Sequence, residues 1–142
     1  MQRPAYLHAS YRYGFWWLAL VALGLLALGL GLRDPWPADE PRFALNSLEM
    51  LKTGHFWLPH RGGELYPDKP PIFMWATAAS IAITGSVRLG FLLPSLIAAL
   101  GTLALVTDLT NRLYGRRIAL LSGIALLSTV QFALQAKTAQ ID

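Results

Sequence analysis

Six of the eight acidic residues of this chain, Asp34, Asp39, Glu40, Glu49, Glu64 and Asp68, fall between Arg33 and Lys69. Five of the twelve basic residues and two of the three histidines lie in the same stretch. Two tight groups stand out: Asp39-Glu40-Pro41-Arg42, which follows Asp34-Pro35-Trp36-Pro37, and Tyr66-Pro67-Asp68-Lys69-Pro70-Pro71. A carboxylate held in place can orient or deprotonate an acceptor, and general-base help of that kind is worth about 10²–10⁴ in rate. An ammonium on a proline-stiffened turn can pair with a phosphate as a point charge. Plainer roles stay open for each residue. Asp39 and Glu40 equally suit the N-terminal end of a helix, where the dipole favours anions. Lys69 equally suits a snorkelling anchor. Arg42 is either a phosphate contact or a partner for Asp39 or Glu49. His55 and His60 are five apart in a glycine-bounded loop, a spacing open to metal binding, and Asp142, beside Lys137 and Gln140, is either a second carboxylate or a plain interfacial end.

The elements that must carry these groups are apolar. The chain has 142 residues, 54% hydrophobic and 14% charged, with a mean hydropathy of +0.42. Soluble domains carry nearer a quarter charged residues. The uncharged stretches are Phe15–Leu32, Leu89–Val106 and Ile118–Leu134. At about 1.5 Å per residue each reaches roughly 26 Å, close to a hydrocarbon core of about 30 Å. Membrane insertion is the simplest way to cover three such helices on all faces. With no cysteine, a disulfide framework and a thiolate metal site are excluded. The formal charge of +4 comes from basic residues flanking apolar runs, where they signal topology rather than nucleic-acid binding.

Arg3 and Arg12 precede the first run with no acidic residue, so the N-terminus (1–14) is expected in the cytoplasm. Tyr11, Tyr13, Trp16 and Trp17 mark that boundary. The run is long for a signal peptide and lacks a small-residue cleavage site, so 15–32 reads as a retained anchor. Residues 33–70 then form an outer loop in which Phe43–Lys52 reads as a short amphipathic helix closed by Gly54, its apolar positions being Phe43, Ala44, Leu48 and Leu51. The stretch 71–84 is short for a span and starts with two prolines. Reading it as an interfacial helix lets 89–106 cross inward and leaves Arg112, Arg116 and Arg117 in a basic cytoplasmic loop, 107–117, as the positive-inside bias prefers. The run 118–134 then returns and delivers 135–142 to the outer face. If 71–84 crosses instead, there are four spans rather than three. The chain stops at Asp142 directly after a span with no polar tail, which reads as part of something longer.

The order of motifs resembles the GT-C glycosyltransferases, in particular glycosyltransferase family 39 and its relatives, the protein O-mannosyltransferases and the aminoarabinose transferases that modify lipid A. Asp39-Glu40-Pro41-Arg42-Phe43-Ala44 and Tyr66–Trp75 match the first outer loop. Arg88 with Leu93-Pro94-Ser95, then Tyr114-Gly115-Arg116-Arg117, then Ala136–Asp142 follow in register. Lys137 stands where the family commonly has arginine, and Gln140-Ile141 where Arg-Pro is frequent. Family members are several times longer, with about a dozen spans, so this chain alone is expected to be inactive.

The resemblance implies an all-α, multi-spanning membrane fold with juxtamembrane helices in the first outer loop, located in a bacterial inner membrane. It implies inverting transfer of a sugar from a polyprenyl-phosphate donor to a lipid, protein or glycan acceptor. Asp39 and Asp142 would be the catalytic carboxylates, and Glu40, Arg42, Asp68 and Lys69 would bind substrate. Lys69 and Arg42 would hold the donor phosphate, while Asp68 would orient Lys69 or help to bind a divalent metal. The departing phosphate needs no general acid, unlike the leaving group of a glycosidase. Its partners would be that donor and the bilayer, with no nucleic acid and no assigned metal ligands. Two other classes fit the same spans: a small non-catalytic membrane protein, or a transporter fragment with Asp39 and Lys69 on a substrate path.

Overall fold

Proline and glycine punctuate this chain, and helices fill nearly everything between them. The computed structural model describes residues 5–32, 40–66, 69 and 71–139, with the backbone alone for 5–13. Helix α1 is Ala5–Ala27. It gives way to turns through the Gly-Leu-Gly-Leu run, where each glycine costs a helix about 1 kcal/mol relative to alanine, and Leu32 N–H donates to Gly29 O at 3.2 Å. Helix α2 is Glu40–Thr53, with Pro41 in the first turn, where its missing N–H costs nothing. A hairpin of two short strands follows, β1 His60–Arg61 and β2 Glu64–Leu65, antiparallel with His60 opposite Leu65. Helix α3 is Ile72–Thr84; it starts after Pro71 and ends on Gly85, which is left-handed and donates its N–H to Ile81 O. The short α4, Val87–Gly90, leads into α5, Leu93–Tyr114.

The apolar run at 118–134 is not one helix. It forms α6, Arg116–Ser128, and α7, Val130–Gln135, separated by Thr129 in an extended conformation. Ser128 Oγ donates to Ile124 O at 2.8 Å and Thr129 Oγ1 to Ala125 O at 3.1 Å. Two adjacent hydroxyls thus compete for carbonyls that the helix would otherwise use, a known cause of bends and breaks.

Among the described residues one stretch, Val87–Tyr114, is long and apolar enough to cross a membrane. The parts Gly14–Ala27 and Ile72–Thr84 are shorter apolar helices. The fold class is therefore helical and membrane-type, with the hairpin as its one extended element among the described residues.

The chain divides into two compact units. The first combines Met1–Leu28 with Ala98–Ala136. There α1 lies on α6, and Leu18, Ala22 and Leu103 form a buried cluster with Leu126, Leu127 and Phe132 against it. Gly123 allows this approach: a methyl group there would sit 2.5 Å from Leu18 and 2.6 Å from Thr107. The second unit combines Gly29–Ile97 with Lys137–Asp142. In it Phe43, Met50 and Met74 join α2 to α3, with Tyr66, Phe73 and Trp75 packed against them. A neighbouring cluster of Ala44, Phe91, Leu92 and Ala139 ties together α2, the α4–α5 turn and the C-terminal segment. Helix α4 reaches α3 because Gly90 has no side chain; a Cβ there would lie 2.6 Å from the backbone of Ile81.

Candidate functional site

The candidate site belongs to the second unit, and α2 is its base. The helix expected at 43–52 starts one turn earlier, at Glu40. Its buried residues are Glu40, Phe43, Ala44, Asn46, Ser47 and Met50. That stripe differs from the expected one, since Leu51 is exposed and Leu48 only half-buried. The 43, 44, 47, 50 spacing follows one helical face, and Ser47 and Met50 hold positions that hydropathy alone gave to leucine. Ser47 can sit there because its hydroxyl lies 2.8 Å from Phe43 O and 3.2 Å from Met74 O, linking α2 to the backbone of α3. Asn46 is also buried, with Nδ2 4.0 Å from Met74 Sδ.

The loop from α2 to α3 is pinned at three points. Glu49 Oε1 accepts the Gly62 N–H at 2.7 Å. Trp75 Nε1 donates to Phe56 O at 2.6 Å. Tyr66 N–H donates to Pro59 O at 2.7 Å. Arg61 stacks over the Tyr66 ring at 5.4 Å, and the His55 and His60 rings are 4.9 Å apart. Trp57 is 82% exposed and meets Trp75 edge-on. These contacts fix the course of the chain as far as Tyr66. Lys69 is half-buried, while Arg42 lies on the exposed side of α2.

Glu40 makes the longest-range contact of the site. It is only 3% exposed, and its Oε1 accepts the backbone N–H of Ala139 at 2.9 Å, across 99 positions of sequence. Hydrogen bonds to such side chains are worth about 1.5–3 kcal/mol when charged. Ala139 is fully buried and lies beyond the end of α7, so its N–H has no helical acceptor and needs one. Glu40 supplies it.

Of the residues expected at the site, Glu40, Arg42 and Lys69 are described, whereas Asp39, Asp68 and Asp142 lie outside the described residues. Glu40 adjoins Asp39, and Ala139 precedes Asp142 by three positions. The hydrogen bond joins Glu40 of the first motif to Ala139 of the last. Sequence reasoning missed the Ala139 N–H, because a backbone donor carries no residue signature. It also missed the anchoring by Glu49 and Trp75; their types were visible, but their partners are backbone atoms far along the chain. Among the described residues no group of three or more histidine or acidic side chains is placed to hold a metal.

Comparison with known proteins places this arrangement. Residues 68–142, just over half the chain, match the dolichyl-phosphate-mannose-protein mannosyltransferase family. Three curated relatives are each named an undecaprenyl phosphate-alpha-4-amino-4-deoxy-L-arabinose arabinosyl transferase. That of Pseudomonas savastanoi pv. phaseolicola is 38% identical over 65% of this chain and 17% of its own length. That of Pseudomonas fluorescens is 35% identical over 88% of this chain and 23% of its own. That of an Enterobacter species is 35% identical over 73% and 19%. The chain thus spans about a fifth of the length of these relatives. No solved structure matches it. Five motifs in register, a helical membrane-type fold and a family match across more than half its residues show that the chain belongs to the GT-C glycosyltransferases, in the dolichyl-phosphate-mannose-protein mannosyltransferase family.

Proposed function

We propose that this chain supplies the first outer loop and the first catalytic carboxylates of an inverting glycosyltransferase that uses a polyprenyl-phosphate sugar. An acceptor hydroxyl attacks the anomeric carbon from the side opposite the phosphate. The new carbon–oxygen bond forms as the bond to phosphate breaks, and the configuration inverts. Asp39 takes the hydroxyl proton or orients the acceptor, and Asp142 is the second carboxylate facing the same space. Lys69 and Arg42 hold the phosphate, so the negative charge that builds on it as the sugar departs meets fixed cations. Asp68 orients Lys69. The relatives' names favour undecaprenyl phosphate as the carrier and an aminoarabinose-type sugar, with lipid A, a protein or a glycan as acceptor.

The observation that carries this reading is the Glu40–Ala139 hydrogen bond. It ties the residue after Asp39 to a residue whose Cα is at most about 11 Å from that of Asp142, by covalent reach alone. A donor whose reactive bond lies at the lipid headgroup calls for charged groups beside apolar helices, and a bond that joins the first motif to the last supports that reading.

The decisive experiment changes Asp39 to Asn in the full-length protein and measures sugar transfer in membranes. Transfer falls by about 10²–10⁴ while insertion stays normal; retained transfer removes Asp39 from the mechanism. The site is proposed to face the periplasm of a bacterial inner membrane, with the N-terminus and the α5–α6 junction at Gly115 in the cytoplasm; the basic stretch expected as a loop at 107–117 is helical except at Gly115. A cysteine at Gly115 then resists an impermeant thiol reagent applied from outside, and labelling there would overturn that orientation.

A further inference from the structure

Two histidines of the loop between α2 and α3 stand outside the reaction described above. His55 is exposed and His60 half-buried, and their ring centres lie 4.9 Å apart. His55 lies at the surface, so burial of its ring does not explain the pairing. His60 Nδ1 is 2.7 Å from Leu58 O. A carbonyl only accepts, so Nδ1 carries the hydrogen, and the lone pair of the neutral ring is left on Nε2. That is how metal-binding histidines are commonly oriented, one nitrogen on a backbone carbonyl and the other free for the ion.

The backbone around both rings is already held. Phe56 O, next to His55, accepts from Trp75 Nε1 at 2.6 Å. Pro59 O, next to His60, accepts the Tyr66 N–H at 2.7 Å. Thr53 Oγ1 lies 3.4 Å from the His55 N–H, and Glu49 Oε1 holds the Gly62 N–H at 2.7 Å. Little ordering of this loop therefore remains to oppose a ligand.

We propose that His55 and His60 form a two-histidine site for a divalent ion of the zinc and copper class, His60 binding through Nε2. Metal–nitrogen bonds of about 2.0–2.1 Å at a near-tetrahedral angle set the centres of two such rings about 5 Å apart, which is the spacing observed. Neutral imidazole suits these ions, whereas magnesium and calcium take oxygen ligands. Among the described residues no group of three histidine or acidic side chains surrounds an ion. The remaining positions on the metal are thus open to water or to an outside anion, and the ion exchanges with solvent.

The test uses the full-length protein, stripped with EDTA and freed of any histidine tag. Diethyl pyrocarbonate modifies unliganded imidazole, and mass spectrometry reads it on the peptide that holds both rings. Zinc chloride alone should abolish modification of His55 and His60 over one and the same concentration range, and magnesium chloride should protect neither. His55→Ala should raise the zinc needed to protect His60 by at least about ten-fold, the loss typical even of an outer-shell partner. His60→Ala should do the same for His55. Equal modification with and without zinc means that the rings only stack, which overturns the proposal. Protection of one ring that survives loss of the other means separate binding, and also overturns it; equal protection by magnesium overturns the class of ion. If a variant does not accumulate, the unaltered protein decides, because one shared ion gives both rings the same midpoint and separate sites do not. None of these readings involves sugar transfer, so failure of that function is seen separately.

Discussion

The two compact units differ in how far their polar side chains reach. In the unit built from 1–28 and 98–136, the hydroxyls turn back onto their own helices. Thr102 bonds Ala98 O, Thr107 bonds Leu103 O, Ser122 bonds Ala119 O and Ser128 bonds Ile124 O. An ion pair there, Arg112 with Asp108, is also one helical turn long. In the unit built from 29–97 and 137–142, Thr53 and Thr84 also turn back onto their own helices, but other side chains reach across the chain: Ser47 to Met74 O, Glu49 to Gly62, Trp75 to Phe56 and Glu40 to Ala139. Hydrocarbon offers no hydrogen-bond partners, so a hydroxyl on a lipid-facing helix bonds the nearest carbonyl. Such a bond satisfies the group but says nothing about where the helix sits. A bond across 99 positions does. Position is specified in the unit proposed to hold the chemistry, and the other unit is left to apolar packing.

This contrast can be broken by mutation. The largest stability effect is expected at Phe91, fully buried at the junction of three segments. Phe91→Ala should cost about 3–5 kcal/mol, read as a lower midpoint of thermal unfolding in detergent. A loss below about 1 kcal/mol would mean that this cluster does not hold the second unit together. Next come two buried hydroxyls, one from each unit. Ser47→Ala removes a link between helices and should cost about 1 kcal/mol. Thr107→Val removes a bond within one helix at nearly constant shape, and the same midpoint should hardly move. Equal losses at the two sites would dissolve the distinction drawn here. The smallest effect is expected at Leu105, 72% exposed. Leu105→Ala should stay within about 0.5 kcal/mol, and a larger loss would show that this face is packed against protein.

How much of this was legible beforehand differs from element to element. The apolar runs announced α5 and, as far as Ala27, α1; the run expected to continue to Leu32 turns at its glycines instead. Pro71 and Gly85 delimited α3 through backbone chemistry that any sequence shows. The split at Thr129 was less visible. It depends on Ser128 and Thr129 bonding backward, a local choice that a hydropathy window averages away. Helix α2 was foreseen, and so were Phe43 and Ala44 on its buried face, but the rest of that face was not. Leucines 48 and 51 are more apolar than Ser47, yet the face that meets α3 is chosen by the fit of Met50 and Met74 and by the Ser47 hydrogen bonds.

The sequence by itself determined that this chain enters a membrane as helices and that acids, a lysine and an arginine gather in one loop, since hydropathy and proline placement act locally. Its motifs also determined the family. Only the tertiary structure decided that the start of α2 meets residue 139, because the donor there is a backbone N–H, identical in nearly every residue. Its partner becomes known only once the fold has brought it within 2.9 Å of Glu40.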